Sequence, residues 1–296
     1  MAIRLAKAAK VGYDDTETFY NAKMSLEDPV MQITVLKRPG RANPATLTCY
    51  IADEVLDNPP IRPAMLVCPG GGYEFVAPRE GEPIALAYVR AGFNAFVLDY
   101  AIKEQALFPN SLTDAMWALG TIRTHSQEFH IDPHKVAVCG FSAGGHLAAS
   151  LCVFHDRPDI AVQAGFPCGL LRPDAGVLSY PVISAGPFRH EGSIRQLLGD
   201  RYGEADAMNE VSLERQVKAT TPPCFLWHTA DDDSVPVANS LLFASALSMH
   251  QVPFEMHIFP QGPHGLSLGE KWTSQQHPSH IWMDLSIQWL DRLFDR

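Results

Sequence analysis

Val136-Ala137-Val138-Cys139-Gly140-Phe141-Ser142-Ala143-Gly144-Gly145-His146-Leu147-Ala148-Ala149-Ser150-Leu151 is the stretch that decides the architecture. Four apolar residues read as a buried strand, Gly140-x-Ser142-x-Gly144 follows, and His146 to Phe154 continues as a helix. A five-residue pattern of this kind arises by chance in a chain with 21 glycines, so its weight comes from its setting. A strand-to-helix reversal this tight strains the backbone of the serine and crowds its neighbours, which calls for residues without side chains on both sides. Gly145 adds room against the sheet. A serine that merely capped a helix would not need glycine before and after it. Ser142 is therefore the candidate nucleophile.

Outward from this turn, strand-like and helical stretches alternate. Met31–Leu36 and Thr46–Ile51 read as strands, and Asp57-Asn58-Pro59-Pro60 as a turn. Ala64–Cys68 is a short apolar strand ending in Pro69-Gly70-Gly71-Gly72, followed by a helix over Glu82–Ala91, a strand over Asn94–Asp99 and a helix over Leu112–His125. Asp132-Pro133 reads as a break before the strand Lys135–Cys139. Val177–Ile183, Cys224–His228 and Phe254–Phe259 read as further strands, Val237–Met249 and His280–Phe294 as helices. This rhythm implies an α/β fold, a mostly parallel central sheet flanked by helices, in a single domain spanning residues 1–296 with residues 1–60 joining the sheet. Residues 184–221 break the rhythm. They are rich in Gly, Pro and charge, with one helical piece around Ile194–Leu198, and read as a lid-like insertion.

The 296 residues carry a formal net charge of −10, with 46% hydrophobic and 19% charged residues. That balance suits a folded chain acting on a neutral small-molecule or oligosaccharide ester, and disfavours nucleic acid and anionic membrane surfaces as partners. The charged start of the chain does not read as a secretory signal, and no apolar run approaches the roughly 20 residues of a membrane span. The six cysteines (Cys49, Cys68, Cys139, Cys152, Cys168, Cys224) form no C-x-x-C pair, so reduced thiols in the cytoplasm are expected. Neither a metal nor an organic cofactor is implied, because H-E-x-x-H is absent and the histidines lack ligand spacing. A homo-oligomer is compatible with the sequence.

In the order of its parts the chain resembles the α/β-hydrolase fold, and the resemblance places the remaining machinery. The base should follow the last strand, where His264 lies in Gly262-Pro263-His264-Gly265. Of the twelve histidines, His146 lies on the helix after the serine, His257 within a strand, His228 at a strand end, and His277 and His280 at the surface or a helix start. The acid should end the strand before last, where Asp231, Asp232 and Asp233 compete. An acid followed by two residues and Val-Pro is the pattern of the fold, which selects Asp232 and leaves Asp231 and Asp233 to solvent or turn amides. The order Ser142, Asp232, His264 is that of the fold. Backbone donors for an oxyanion are expected at Ala143, at the start of the helix, and at Gly71 or Gly72 in the glycine loop.

The stretches Cys68–Tyr73, Gly140–Leu147, Leu178–Val182, Trp227–Asp232 and Gly262–Gly265 are similar to those of acetyl esterases and acetylxylan esterases. The resemblance covers the chain from about Pro63 onward and implies hydrolysis of short acyl esters, typically acetyl groups on sugar hydroxyls. Pro69 stands where the lipase-like esterases carry histidine, which favours the sugar-esterase branch. An amidase or peptidase using the same triad remains a rival. So do a glycosidase, which would need two carboxylates across a sugar ring, and a binding protein without activity.

Overall fold

A computed structural model of the chain describes residues 30–40, 44–53, 60–269 and 277–296. Residues 57–59 of the expected turn and residues 1–29, which include the charged start of the chain, lie outside them.

The strands are β1 (Val30–Lys37), β2 (Thr46–Asp53), β3 (Arg62–Cys68), β4 (Asn94–Asp99), β5 (Ile131–Phe141), β6 (Ala175–Ser179), β7 (Cys224–Thr229) and β8 (Phe254–Phe259). They form one sheet in the order β1-β2-β4-β3-β5-β6-β7-β8. The β1–β2 and β2–β4 pairs are antiparallel and every other pair is parallel. The helices are α1 (Glu82–Arg90), α2 (Asn110–Thr124), α3 (Ser142–Phe154), α4 (Pro158–Ala164), α5 (Glu191–Leu198), α6 (Ala205–Glu210), α7 (Ala238–Met249) and α8 (Trp282–Phe294).

Both faces of the sheet are covered, so its central strands are apolar throughout rather than alternating with polar residues. Along β3, Ala64, Leu66 and Cys68 join one core with Leu119, Leu147, Leu151 and Phe243 from α2, α3 and α7. Met65 and Val67 face the other way, into a core with Tyr88 of α1 and Trp282 and Trp289 of α8. The period of two in β geometry makes this division. Trp282 stacks on Trp227 at a centroid distance of 5.2 Å, which locks α8 beneath β7. From β3 the chain goes to β4 on one side, then returns to lay β5 and the later strands on the other. The carboxyl ends of β3 and β5 flank this switch, the place where parallel α/β sheets leave a crevice.

Three local expectations change. Asp132-Pro133 does not break the chain before a strand. It lies inside β5, where the register against β3 jumps from Arg62↔Ile131 to Ala64↔Val136. Asp132 Oδ1 accepts the His134 N–H at 2.9 Å, an Asx turn within a bulge, and a bulge tolerates the proline's missing donor. The apolar run Val177–Ile183 leaves the sheet after Ser179. Tyr180 takes φ +35°, and the Val182 and Ile183 amides donate instead to Ser142 O and Asn239 Oδ1. Between residues 184 and 221 there are two helices, α5 and α6, rather than one helical piece. The segment is tied to the body by Phe108 N–H donating to Leu197 O and by Asn239 Nδ2 donating to Phe188 O.

Candidate active site

The turn from β5 into α3 holds Ser142 at φ +53°. A side-chain-bearing residue in that region costs about 1–3 kcal/mol, so the surrounding packing has to enforce it. A Cβ on Gly140 would lie 2.2 Å from Gly144 O, and one on Gly144 would lie 2.2 Å from Cys68 O. A Cβ on Gly145 would meet Pro181 Cβ at 2.7 Å. The three glycines thus let the helix press against β5, the end of β3 and the segment after β6.

Ser142 is 8% exposed, and its Oγ lies 2.8 Å from His264 Nε2. His264 Nδ1 lies 2.7 Å from Asp232 Oδ2. The structure therefore brings together the three residues singled out from the sequence, across 122 and 32 positions of chain. The loop carrying His264 is fixed from β7: Thr229 Oγ1 donates to Gly262 O at 2.8 Å, and Asp231 Oδ1 accepts the Gly262 N–H at 2.7 Å. Asp231 is thus one of the loop's anchors. Asp233 is exposed and, among the described residues, accepts only from Ser234 Oγ.

Asp232 has every acceptor position occupied. Oδ1 takes the Ser234 and Val235 N–H groups at 3.0 and 2.9 Å, while Oδ2 faces His264 Nδ1 and, at 3.3 Å, His228 Nε2. Burial alone would raise its pKa. The hydrogen bonds from His228 and His264, the His264 charge and the Val235 amide outweigh burial and hold the carboxyl well below the usual range.

In the glycine loop, Gly71, Gly72 and Tyr73 have φ of +128°, +68° and +62°. A Cβ on Gly70 would sit 3.0 Å from Ser142 Cβ, so the loop lies against the serine. The Gly70 amide is committed to Glu80 Oε2 at 2.8 Å. Gly71 and Gly72 keep amides without an acceptor among the described residues, as an oxyanion site needs. Ala143 supplies the amide next to the serine in the first turn of α3.

Residues 118–295 match the prolyl oligopeptidase family and residues 57–166 match BD-FAE. The acetyl ester-xyloside bifunctional hydrolase from Caldicellulosiruptor lactoaceticus is 41% identical, with a TM-score of 0.75 over 88% of this chain and 92% of that one. The chain belongs to the α/β-hydrolase esterases of the prolyl oligopeptidase family. Endo-1,4-beta-xylanase B of Butyrivibrio fibrisolvens is 42% identical over 70% of the present chain, and the acetylxylan esterase of Xylanibacter ruminicola is 27% identical over 76% of it. The esterase spans only 33% and 44% of the length of these two relatives.

Four residues that support the esterase's site were not singled out as functional from the sequence. His228 is fully buried: its Nε2–H is shared between Val235 O at 2.9 Å and Asp232, and its Nδ1 accepts from Ser240 Oγ at 2.8 Å. Its spacing of four from Asp232 was the available signal. Glu80, 2% exposed, joins Gly70 N–H to the Tyr180 hydroxyl, which donates to Oε1 at 2.8 Å and accepts the Ser267 N–H at 2.9 Å. The Tyr180 ring meets His264 edge-on at 5.1 Å. One carboxylate thus braces the glycine loop and the histidine loop together.

His146 is the fourth. Its Nδ1 accepts from the Tyr73 hydroxyl and its Nε2–H donates to Val211 O, both at 2.9 Å, linking the glycine loop to the residue that follows α6 in the 184–221 segment. Burial lowers its pKa to about 4, against a smaller opposing pull from the Val211 carbonyl. Above the unfolded value both states hold it neutral. As pH falls below that value the unfolded chain binds a proton that the native chain refuses. Between pH 7 and pH 4 this one group should remove about 3 kcal/mol of stability. Urea unfolding across that range checks it, and a His146→Gln variant with an unchanged slope would refute the assignment.

Proposed function

We propose that this esterase removes acetyl groups from carbohydrate hydroxyls, those of xylo-oligosaccharides first among them, through an acetyl-enzyme on Ser142. The observation that carries the chemistry is the hydrogen-bonded chain from Ser142 Oγ through His264 to Asp232. The substrate class is supported by the names of the relatives in acetylxylan and acetyl ester-xyloside hydrolysis.

A serine hydroxyl is a weak nucleophile at neutral pH. His264 Nε2 takes its proton as Oγ attacks the acetyl carbon. Asp232 holds the proton of His264 on Nδ1 and stabilises the imidazolium. The oxyanion rests on the amides of Ala143 and of Gly71 or Gly72. When the intermediate collapses, the sugar oxygen leaves with the proton from His264 Nε2, and acetyl-Ser142 remains. Water then gives a proton to His264 and attacks the ester. Acetate departs and Ser142 regains its proton. Glycoside hydrolysis at this site is disfavoured because the nearby carboxylates, Asp232 and Glu80, are 7% and 2% exposed and already hydrogen-bonded. The cytoplasmic location proposed alongside rests on the six cysteines, all free.

The test is acetate release from p-nitrophenyl acetate and from acetylated xylo-oligosaccharides, set beside longer acyl esters and aryl amides. Acetyl esters should be the best substrates. Faster turnover of amides than of acetyl esters would overturn the reading.

A further inference from the structure

In a trans peptide the C=O and the N–H that follows it point in opposite directions, so fixing one aims the other. Pro69 O accepts the Tyr100 hydroxyl at 2.6 Å, and on the far edge of that peptide the Gly70 N–H donates to Glu80 Oε2 at 2.8 Å. Gly70 O accepts the Ala77 N–H at 2.9 Å, which points the Gly71 N–H away from residues 74–77. Gly71 O accepts the Glu74 and Phe75 N–H groups at 3.0 and 3.1 Å, which points the Gly72 N–H away from them as well. Of these three amides only that of Gly70 has an acceptor among the described residues, and Glu80 supplies it.

Gly70 is also where the loop meets the nucleophile's turn: a Cβ there would lie 2.8 Å from Phe141 O and 3.0 Å from Ser142 Cβ. Both of its polar groups are gripped from one short turn, since the Glu80 N–H donates to Ala77 O at 3.0 Å and keeps those two residues together. Glu80 faces a donor on each oxygen, the Gly70 N–H at Oε2 and the Tyr180 hydroxyl at Oε1. Burial and the Glu80 charge raise the Tyr180 pKa, so the hydroxyl keeps its proton for Oε1. The Arg79 Nε lies 3.9 Å from Oε1. A buried carboxylate held in this way costs stability that an apolar side chain would spare, so packing alone does not account for it.

We propose that Glu80 is the positioning residue of the oxyanion site: by holding Gly70 against the turn of Ser142, it keeps the Gly71 and Gly72 amides aimed for the tetrahedral intermediate. Without Oε2 the Gly70 N–H is buried with no acceptor, and a run of three glycines is free to rotate it elsewhere. Rotation there carries the next two peptides with it. The loss falls on the transition state, where the oxyanion exists, and spares the bound ester. This role rests on the ester-hydrolase reading of Ser142, and the experiment keeps the two apart.

Glu80→Leu removes both acceptors, Glu80→Gln keeps the shape and one acceptor, and Tyr180→Phe leaves Oε2 on Gly70. The readouts are kcat and KM for p-nitrophenyl acetate, and the affinity for trifluoroacetone by fluorine NMR. Ser142 Oγ adds to the ketone carbon, its proton passes to His264 Nε2, and the carbonyl electron pair becomes the oxyanion of a hemiketal. Glu80→Leu should lose about a hundredfold in kcat and in ketone affinity alike, with KM nearly unchanged. Glu80→Gln and Tyr180→Phe should each lose less ketone affinity. An unchanged kcat, or a fall in kcat without a fall in ketone affinity, would overturn the proposal. So would a Tyr180→Phe loss as large as that of Glu80→Leu, which would place the effect of Glu80 in the histidine loop. If the leucine variant does not fold, Glu80→Gln decides: kcat and ketone affinity falling together uphold the proposal, and a wild-type value of either overturns it. A wild-type protein that forms the hemiketal yet leaves esters intact would overturn only the ester-hydrolase reading, and the ketone affinities of the variants would still decide on Glu80. A wild-type protein that forms no hemiketal would overturn both.

Discussion

Ser142→Ala is expected to lower kcat for acetyl-ester hydrolysis by about 10⁴- to 10⁶-fold, with the fold retained. Alanine keeps the Cβ and the backbone preference of serine, so the turn between β5 and α3 is asked to hold the same strained geometry as before. What disappears is Oγ and its 2.8 Å bond to His264 Nε2. The residual rate would come from the amides of Ala143 and the glycine loop acting on a water attack. Ser142→Gly makes a second, opposite measurement. Glycine takes φ +53° without strain, so this inactive variant should unfold about 1 kcal/mol harder than Ser142→Ala, after allowing for the extra freedom of glycine in the unfolded chain. Thermal denaturation of the two variants side by side decides it. A glycine variant less stable than the alanine one would show that the turn is not strained, and a Ser142→Ala protein with full activity would sink the mechanism.

The parts legible in the sequence were those fixed by local constraints. Gly140 announces the turn because a Cβ there would collide with the Gly144 carbonyl 2.2 Å away, inside the same turn, and no distant residue can relieve that. Val235-Pro236 marks Asp232 because the Val235 amide closes the turn onto the carboxylate. The parts that were not legible depend on contacts across long stretches of chain. Glu80 and Tyr180 meet across 100 positions, and His146 reaches Val211 across 65. Nothing in the composition around Glu80 says that its carboxylate will be buried under the glycine loop. The misread pieces have the same origin. Asp132-Pro133 obeys the local rule for a break, yet the neighbouring strand accommodates it as a bulge. Tyr180 to Ile183 is as apolar as the strand before it because it is equally buried, although after the last β6–β7 rung, Tyr180 N–H to Trp227 O, the Val182 and Ile183 amides donate to Ser142 O and Asn239 Oδ1 rather than into a ladder. Apolar runs report burial first and conformation second.

Asp232→Asn should cost about 10⁴-fold in kcat while leaving the other contacts of the loop in place. The reason lies in how the carboxylate is divided. Oδ1 accepts the Ser234 and Val235 N–H groups, so the amide oxygen of Asn must stay on that side; reversing it would set an NH₂ against two backbone donors. The NH₂ therefore falls where Oδ2 was, facing His264 Nδ1 and His228 Nε2. His228 keeps an acceptor in Val235 O at 2.9 Å and remains as it is. His264 has no such alternative. It has to accept at Nδ1, which places its proton on Nε2, pointing at Ser142 Oγ. An imidazole in that tautomer cannot take the serine proton, and the charge that stabilised the imidazolium is gone as well. The variant should bind substrate with a KM near that of the wild type and react slowly with a fluorophosphonate probe. Nitrogen-15 NMR should show the proton of His264 moved from Nδ1 to Nε2. A kcat within tenfold of the wild type, or a tautomer that stays on Nδ1, would mean that Asp232 holds the turn and does nothing for the histidine.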